Sequence, residues 1–321
     1  MVRRDHKPLF MMMVGLPASG KSELALKLSS EYNAEIMSSD SVRIELFGKD
    51  YKYNRDDNHK VFSTLHSKLE NALKSGKNVI YDATNIKVKT RISFLNKING
   101  IDCTKVCYYI ATPFMTCLEH NCCRACGYVN DKDVKDMFYN LEIPYYYEGW
   151  DNIRIVWNDR PSHSVRSLFK DPTSGLCNHT VSCQNQKYNL GEMMIKAHDL
   201  ANTEGMPKDV ALAALFCEIG YPYMNKFFTE PEYRYWNRMS AQDSIMYTCI
   251  SYLGPLRLVS DTRRVQKLCL DVAVLIQWRD FVEQNDPAGC AKLFKIFKNY
   301  KDGKLLGKLA MLKDITDKYK Q

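Results

Sequence analysis

The chain has 321 residues, of which 45% are hydrophobic and 26% are charged, as in a globular protein long enough for two domains. No segment approaches the roughly 20 consecutive apolar residues of a membrane span, which excludes a membrane-spanning class. Twelve cysteines without a convincing secretion signal predict reduced thiols and a cytoplasmic location, bacterial or in the host cytoplasm if phage-encoded. The net charge of +8 favours, though weakly, a polyanionic partner such as nucleic acid.

The first predicted element is a buried strand at Leu9–Val14, followed by the segment GLPASGKS at residues 15–22. This segment matches G-x-x-x-x-G-K-[ST], and helical spacing of apolar residues follows it, so strand, loop and helix stand in the order of a phosphate-binding loop. The basic, apolar start of the chain also resembles a secretory signal, but the loop motif explains it better. We predict that the loop binds ATP through Gly15, Ser19, Gly20, Lys21 and Ser22, and that Ser22 also binds Mg²⁺.

Four further strand-like runs follow, and helix-patterned stretches lie between them, notably at 60–74 and 91–98. An alternation of strands and helices predicts an α/β fold, here a parallel five-stranded sheet that carries the phosphate-binding loop motif and is covered by helices on both faces. Ligands of such sheets bind at the carboxyl ends of the strands. The predicted strands are Leu9–Val14, Ala34–Ser38, Asn78–Asp82, Lys105–Ala111 and Asn152–Trp157.

Polar residues follow the second and third strands, in SSDSVR at 38–43 and in YDATN at 81–85. Phosphoryl transfer to a hydroxyl needs a carboxylate that accepts the proton, a metal and cations on the developing charge. Asp40 is a candidate general base, although aspartate at this place is also a common helix N-cap. We predict that Arg43 binds an acceptor phosphate, that Asp82 binds Mg²⁺ or orients the acceptor, and that Thr84 and Asn85 contact the acceptor.

A cluster of four cysteines lies in CLEHNCCRAC, at residues 117–126. Cys123 and Cys126 have the spacing of a zinc knuckle, and His120 is near. A zinc site of this kind needs a second cysteine pair, and none follows at a suitable separation. The cluster therefore favours cysteines packed on a helix.

The composition changes after Trp157. We predict a kinase domain at 1–160, a polar linker at 161–177 and a helical domain at 178–321. Predicted helices cover 210–219, 243–252, 268–283 and 290–300, and another has Met193, Ala197 and Leu200 on one face. The lysine-rich stretch at the end is interpreted as a solvated helix face, with nucleic-acid contact as the alternative.

The motifs GLPASGKS, SSDSVR, KSGKNVIYDATN and CYYIATPFMTCLEHNCCR together resemble the polynucleotide-kinase-like P-loop kinases, of the AAA/zeta-toxin type, over about residues 8–157. The resemblance implies NTP-dependent phosphorylation of a hydroxyl, typically the 5′-OH of DNA or RNA. It implies that Asp40 is the general base, that Arg43 binds the acceptor phosphate and that Lys21 has a catalytic role. Members of this family usually carry several arginines on a helix that closes over the transferring phosphate. The resemblance implies that Arg124 is a catalytic arginine of this helix, whereas His120 and Cys126 stand where further arginines are expected.

The second half resembles a degenerate HD-domain phosphohydrolase over about residues 177–283. That family places histidine where Met193 stands, and His-Asp where Cys217 and Glu218 stand. Because a thioether cannot replace these ligands, we expect a helical domain without metal or hydrolase activity.

Three functions therefore compete. The first is an ATP- and Mg²⁺-dependent 5′-hydroxyl kinase of DNA or RNA ends, with nucleic acid as partner. The second is a kinase of a hydroxylated base in phage-type DNA, a nucleoside or a small metabolite, and the third is a non-catalytic NTP-binding switch. Intact Asp40 and Arg43 favour catalysis. Six aromatic residues are predicted either to stack bases or to belong to the core: Tyr51, Tyr53, Tyr145, Tyr146, Tyr147 and Trp150.

Overall fold

A computed structural model describes residues 7–49, 54–124, 127–158, 169–170, 176–178, 180–183, 186–219, 262–283 and 304–318. The chain divides into two compact units, Met1–Asn158 and Asp159–Gln321. Among the helices in these ranges, none has both the length and the apolar character to cross a membrane.

The first unit alternates strands and helices along its described residues. The strands are β1 (Leu9–Val14), β2 (Glu35–Ser38), β3 (Val79–Asp82), β4 (Thr104–Ile110) and β5 (Asn152–Val156). The helices are α1 (Lys21–Tyr32), α2 (Ser39–Phe47), α3 (Asn58–Lys74), α4 (Val88–Lys97), α5 (Phe114–Cys122) and α6 (Asp131–Tyr139). Short 3-10 turns lie at Arg55–Asp57 and Tyr146–Glu148.

The five strands described in the first unit form one parallel sheet in the order β2-β3-β1-β4-β5, which confirms the predicted α/β fold. The central strand β1 is buried on both faces because helices cover the sheet on both sides. Met11 and Met13 pack with Ala25 of α1 on one face. Phe10, on the other face, contacts the ring of Phe94 of α4 at a centroid distance of 5.2 Å.

The parallel register places the carboxyl ends of the strands at one edge of the sheet. Ser38 at the end of β2 pairs with Asp82 at the end of β3, and Val14 pairs with Tyr109 of β4. The loop after β1 therefore lies beside the polar segments that follow β2 and β3, as the sequence predicted.

The second unit contains helices α7 (Leu190–Thr203), α8 (Lys208–Phe216), α9 (Thr262–Glu283) and α10 (Lys304–Lys318) in its described part, and a 3-10 turn at Leu176–Asn178. Helices α8 and α9 contain most of the buried residues of the predicted helices at 210–219 and 268–283. The helices predicted at 243–252 and 290–300 lie outside the described residues.

Two details of the second unit differ from the predictions. An antiparallel hairpin, β6 (Thr180–Cys183) and β7 (Gln186–Asn189), precedes α7, where only helix was expected. Four-residue strands are too short for a clear period-2 pattern, so the sequence pattern missed them. In addition, α7 buries Met194, Ala197 and Ala201, whereas Met193 and Leu200 are only partly buried.

Candidate functional site

The loop between β1 and α1 contains two glycines for which the structure gives a steric reason. A Cβ at Gly15 would lie 2.9 Å from Ser19 Oγ and 3.0 Å from the carbonyl oxygen of Ile110. Gly20 has φ +94°, and a Cβ there would lie 2.7 Å from the side-chain amide of Asn158. Only glycine fits both positions, so the loop backbone can turn closely around a ligand.

Ser19 anchors the loop to the ends of β4 and β5. Its carbonyl oxygen accepts hydrogen bonds from Thr112 Oγ1 and from Asn158 Nδ2, both at 2.7 Å. The Ser19 hydroxyl is buried and has no hydrogen-bond partner among the described residues. The sequence analysis named Ser19 but missed Thr112 and Asn158. Their positions shortly after the ends of β4 and β5 were the signal that could have revealed them.

Lys21 begins α1 and is buried beside the loop. Its Nζ donates to the carbonyl oxygen of Leu16 at 2.5 Å. Burial lowers the pKa of Lys21 to about 8, and the carboxylate of Asp82 opposes this shift. Asp40 raises the same pKa and Arg124 lowers it, each by less than burial does. These predicted site residues therefore lie within electrostatic reach of Lys21.

Ser22 and Asp82 are joined directly. The Ser22 hydroxyl donates to Asp82 Oδ2 at 2.7 Å, although 60 residues separate them in the sequence. Asp82 ends β3 and is 8% exposed. A hydroxyl and a carboxylate are hard oxygen donors, and Mg²⁺ in kinase sites is held by few protein oxygens together with water and phosphate. This donor pair fits the Mg²⁺ site that the sequence predicted.

Asp40 and Arg43 lie in the first turns of α2. The N-cap of this helix is Ser38, whose Oγ accepts from the backbone N–H of Ser41 at 2.9 Å. The alternative that Asp40 caps the helix is therefore wrong. Arg43 Nη1 donates to Asp40 Oδ1 at 2.6 Å, and Nη2 donates to Asn58 Oδ1 at 3.2 Å.

The Asp40 side chain is 83% exposed, whereas that of Arg43 is 16% exposed. The carboxylate is therefore open to an incoming molecule while the packed guanidinium holds it from one side. A carboxylate in this state can accept a proton, and the guanidinium can bind an anionic group.

Arg124 follows α5 and is exposed. Its Nη1 donates to the carbonyl oxygen of Gly127 at 2.9 Å. His120, which stands where an arginine was expected, has its Nδ1 3.3 Å from the carbonyl oxygen of Ala18 in the loop. Helix α5 thus lies against the loop, while Cys126 lies outside the described residues.

Thr84 and Asn85 have structural contacts that the sequence did not indicate. The carbonyl oxygen of Thr84 accepts from the N–H of Gly15 at 3.1 Å. Asn85 is 6% exposed, and its side-chain amide donates to the carbonyl oxygen of Met13 at 2.9 Å. This burial does not favour the prediction that Asn85 contacts the acceptor, the molecule that carries the substrate hydroxyl group. The Asn85 side chain instead joins the end of β3 to β1 through its hydrogen bond to Met13.

A buried ion pair holds the Asn85 turn from behind. Arg91 of α4 and Glu148 form two hydrogen bonds of 2.7 Å, and neither side chain is exposed. Arg91 also donates to the carbonyl oxygen of Asn85 at 2.9 Å, and Trp150 donates to Glu148 at 3.0 Å. These hydrogen bonds therefore fix the turn that follows Asp82.

The cysteine cluster and the six aromatic residues have ordinary structural positions where they are described. Cys117 is buried, and Cys122 and Cys123 are exposed. Throughout the described ranges, no group of three or more His, Cys, Asp or Glu side chains could hold a metal ion. Tyr145, Tyr147 and Trp150 are core residues at 5–6% exposure, Tyr146 is partly buried, and Tyr51 and Tyr53 lie outside the described residues.

The residues compared with an HD metal site are engaged within the second unit. Cys217 is buried, and its thiol donates to the carbonyl oxygen of Ala214 at 3.3 Å. Glu218 Oε1 accepts from Arg279 Nη2 at 2.7 Å. A guanidinium therefore neutralises the carboxylate that stands where the resemblance places a metal ligand.

Residues 10–144 match the model of the AAA domain family. None of the curated proteins compared with the chain matches it. Among solved structures, a candidate kinase from Chloroflexus aurantiacus is 19% identical, with 47% of this chain and 86% of that chain covered and a TM-score of 0.41. A gluconokinase from Sinorhizobium meliloti is 16% identical, with 49% and 86% covered and a TM-score of 0.37.

The APS kinase of Mycobacterium tuberculosis, solved with AMPPNP and APS, is 21% identical, with 36% and 69% covered and a TM-score of 0.30. Because these TM-scores lie below 0.5, the assignment rests on the family match and on the loop itself. The glycine loop, the buried Lys21 and the Ser22–Asp82 pair stand at the carboxyl edge of a parallel sheet. The first unit is therefore a P-loop, kinase-like nucleotide-binding fold with an AAA domain match.

Proposed function

We propose that the protein is a kinase that transfers the γ-phosphate of ATP to a hydroxyl, specifically the 5′-OH end of DNA or RNA. One observation carries the proposal. The Asp40–Arg43 pair, an exposed carboxylate held by a packed guanidinium, follows the strand next to the one that supplies Asp82. A nucleotide-binding switch needs the loop and Asp82, but it has no use for a base at the acceptor side.

The donor phosphates bind along the loop. Backbone N–H groups between Gly15 and Ser22 and the N-terminus of α1 stabilise their charge, and the ammonium group of Lys21 binds the β- and γ-phosphates. Ser22 and Asp82 would hold Mg²⁺, which neutralises charge on the β- and γ-oxygens when bound. Ser19, buried and held by Thr112 and Asn158, keeps the loop in one conformation.

The acceptor hydroxyl is activated at α2. Its proton passes to the carboxylate of Asp40 as the new O–P bond forms and the bond from the γ-phosphorus to the β–γ bridging oxygen breaks. Arg43 orients this carboxylate through its 2.6 Å hydrogen bond and binds the phosphate next to the acceptor hydroxyl. Arg124 supplies a further cation on the transferring group.

Two further observations support nucleic acid as the acceptor class. The chain has a net charge of +8, which attracts polyanions. Arg43 adds a local cation where an acceptor phosphate would lie, and a 5′-OH nucleotide has a 3′-phosphate beside its reactive end. We therefore expect a nucleoside 3′-monophosphate to be a minimal acceptor and a bare nucleoside to be a poor one.

The experiment is a transfer assay with γ-labelled ATP and Mg²⁺. The acceptors are 5′-OH DNA, 5′-OH RNA, DNA with hydroxylated bases, a nucleoside 3′-monophosphate and the matching nucleoside. We expect label at the 5′ ends of DNA or RNA. Transfer to the hydroxylated base, or only to the nucleoside, would show that the acceptor is not the 5′-OH end of DNA or RNA. ATP binding without transfer to any acceptor would support the non-catalytic NTP-binding switch.

The matched variants are Lys21→Ala and Lys27→Ala, both on α1. Lys21 is buried at the loop, whereas Lys27 is exposed. Lys21→Ala should abolish transfer, because it removes the ammonium group of the loop that would follow the γ-phosphate charge. Lys27→Ala should retain wild-type transfer, and near wild-type turnover by Lys21→Ala would refute the assigned role of the loop.

A further inference from the structure

Helix α5 and the residues just after it present one row of side chains to the phosphate-binding loop. Cys117, His120 and Arg124 follow one another at spacings of three and four residues, which bring side chains to the same side of a helix. Arg124 extends the last turn of α5, since its N–H donates to the carbonyl oxygen of Asn121 at 3.3 Å. All three side chains of the row are therefore placed by the same helix.

The first and last members of the row both act on Lys21. Burial raises the pKa of Cys117 to about 12, and the positive charge of Lys21 opposes this rise. Burial lowers the pKa of Lys21 to about 8, and the positive charge of Arg124 contributes a smaller part of the same shift. The guanidinium of Arg124 therefore lies within electrostatic reach of the ammonium group proposed to bind the donor phosphates.

His120, the middle member, contacts the loop directly. Its Nδ1 lies 3.3 Å from the carbonyl oxygen of Ala18. A carbonyl oxygen only accepts hydrogen bonds, so Nδ1 is the donor of this contact. Ala18 has φ +57°, in the left-handed region that residues other than glycine rarely adopt. A hydrogen bond to its carbonyl oxygen helps to hold that conformation of the loop.

A second hydrogen bond ties the start of α5 to the loop. Thr112 lies two residues before this helix, and its Oγ1 donates to the carbonyl oxygen of Ser19 at 2.7 Å. The carbonyl oxygen of Thr112 in turn accepts from Cys117 Sγ at 3.7 Å. The carbonyl groups of Ala18 and Ser19, which are consecutive in the loop, are thus bound from the two ends of α5.

The chain on both sides of Arg124 is held to the same helix. Asn121 is fully buried and binds both backbone groups of Val129. Its Nδ2 donates to the carbonyl oxygen of Val129 at 2.6 Å, and its Oδ1 accepts from the N–H at 3.2 Å. The position of Arg124 relative to the loop therefore follows the position of α5.

We propose that His120 is a positioning residue for phosphoryl transfer: its hydrogen bond to the Ala18 carbonyl oxygen docks α5 on the loop and so holds Arg124 at the transferring phosphate. This inference rests on the proposed function, in which Arg124 supplies a cation there. His120 acts through the loop backbone and through Arg124. Its loss should therefore affect kcat more than it affects the affinity for ATP.

The first test measures the docking itself and needs no acceptor. Hydrogen exchange of the full chain, read by mass spectrometry, reports the opening of residues 114–122. His120→Leu removes the N–H donor and should speed exchange of this helix about fivefold, as the loss of one hydrogen bond predicts. His120→Asn keeps an N–H donor at the same number of bonds from the backbone and should stay within about twofold of wild type. Helix propensity predicts the opposite order, because leucine favours a helix more than asparagine does.

The second test measures transfer to the acceptor that the labelling assay identifies. His120→Leu should lower kcat about tenfold and raise the Kd for ATP less than about threefold, and His120→Asn should recover most of the loss in kcat. In an Arg124→Ala background, His120→Leu should lower kcat less than about twofold further, because its effect passes through Arg124. The control Glu119→Leu places the same new side chain at the neighbouring exposed position and should change neither exchange nor kcat.

Two results would overturn the proposal. One is equal exchange of residues 114–122 in wild type and His120→Leu, which would show that the contact does not dock the helix. The other is an equal loss of kcat from His120→Leu with and without Arg124, which would show that His120 does not act through Arg124. Failure of every acceptor, together with the expected order of exchange rates, would refute the proposed kinase function and support the docking contact.

Discussion

At the scale of single residues, the candidate site depends on a few side chains that distant contacts hold in place. Ser22 and Asp82 meet across 60 residues of sequence, and Ser19 meets Asn158 across 139. Asp40 differs from them, because its side chain is 83% exposed and it pairs with Arg43 on the same helix. The donor side is thus preorganised by contacts between distant segments, while the acceptor side is open.

The proposed base can be tested by a substitution that keeps its shape. Asp40→Asn should lower kcat by roughly 10²–10⁴, because the amide cannot accept the acceptor proton. The Kd for ATP should change by less than about twofold, since Asp40 lies outside the loop. Steady-state kinetics and calorimetric titration with ATP measure the two quantities.

Asp102→Asn is the matched control, since Asp102 is an exposed aspartate that pairs with Lys7. It should leave kcat unchanged. If Asp40→Asn instead weakens ATP binding or lowers thermal stability with little change in kcat, Asp40 has a metal-binding or structural role.

At the scale of elements, α7 and the 3-10 turn at Leu176–Asn178 pack closely enough for one glycine to be required. Gly191 lies in the first turn of α7, and a Cβ there would lie 2.6 Å from both the backbone nitrogen and the Sγ of Cys177. Backbone atoms cannot move aside as a flexible side chain can. The 3-10 turn at Leu176–Asn178 and α7 are therefore in direct contact through this glycine.

Gly191→Ala should lower the free energy of unfolding by about 1–3 kcal/mol, because the added methyl overpacks the contact with Cys177. Gly307→Ala in α10 is the matched control, since a Cβ there meets no atom within 4 Å in the part of the chain that is described. That control should raise stability by about 0.5–1 kcal/mol through helix propensity. Denaturant unfolding measures both, and equal effects would contradict the close packing.

Helix α3 carries a histidine whose titration affects stability. His66 Nε2 lies 3.0 Å from the hydroxyl of Tyr81, and its ring packs on Phe94. Burial, together with a smaller contribution from the charge of Lys97, lowers the pKa of His66 to about 4. Because the folded protein disfavours the charged form, the unfolded chain binds the extra proton between the two pKa values.

The contribution of His66 to stability is therefore fully present above about pH 6.5 and is lost as the pH falls towards 4. The loss should be about 2 kcal/mol, discounted because the side chain is only partly buried. Between pH 7.5 and pH 4.5, the free energy of unfolding of the wild type should fall by this amount more than that of His66→Gln does. His59→Gln, at an exposed position of the same helix, should behave as wild type, and an identical pH slope in both variants would contradict the assignment.

At the scale of the whole molecule, the two units differ in the reactive and charged side chains that they bring together. The first unit concentrates the loop, the Ser22–Asp82 pair and the Asp40–Arg43 pair at one edge of its sheet. In the second unit, Glu218 is paired with Arg279 and Cys217 bonds to its own helix. The groups proposed for phosphotransfer therefore lie in the first unit.

We predict that the purified protein carries no stoichiometric transition metal and releases no phosphate from 3′-phosphate or cyclic phosphate ends. Met193 offers only a soft thioether, and the carboxylate of Glu218 is paired with the guanidinium of Arg279, so these residues do not form a site for such metals. Elemental analysis and phosphatase assays with Mn²⁺, Ni²⁺ and Co²⁺ measure this. Tight metal together with hydrolysis that survives Lys21→Ala would give the second unit an activity of its own.

The sequence by itself determined the sheet and the loop, because both are local patterns. Apolar runs of four to seven residues predict buried strands, and G-x-x-x-x-G-K-[ST] specifies a backbone shape within eight residues. The rule that ligands bind at strand ends also placed Asp40 and Asp82 near the loop.

Only the tertiary structure decided which neighbours those residues have. Asn85 contacts Met13, Arg91 pairs with Glu148, and Gly191 meets Cys177, and each contact joins segments that no periodic pattern relates. Spacing along a chain predicts an element and its buried face. The partner of a polar side chain is set by packing instead, because a buried donor or acceptor forms its hydrogen bond with the group that the fold brings next to it.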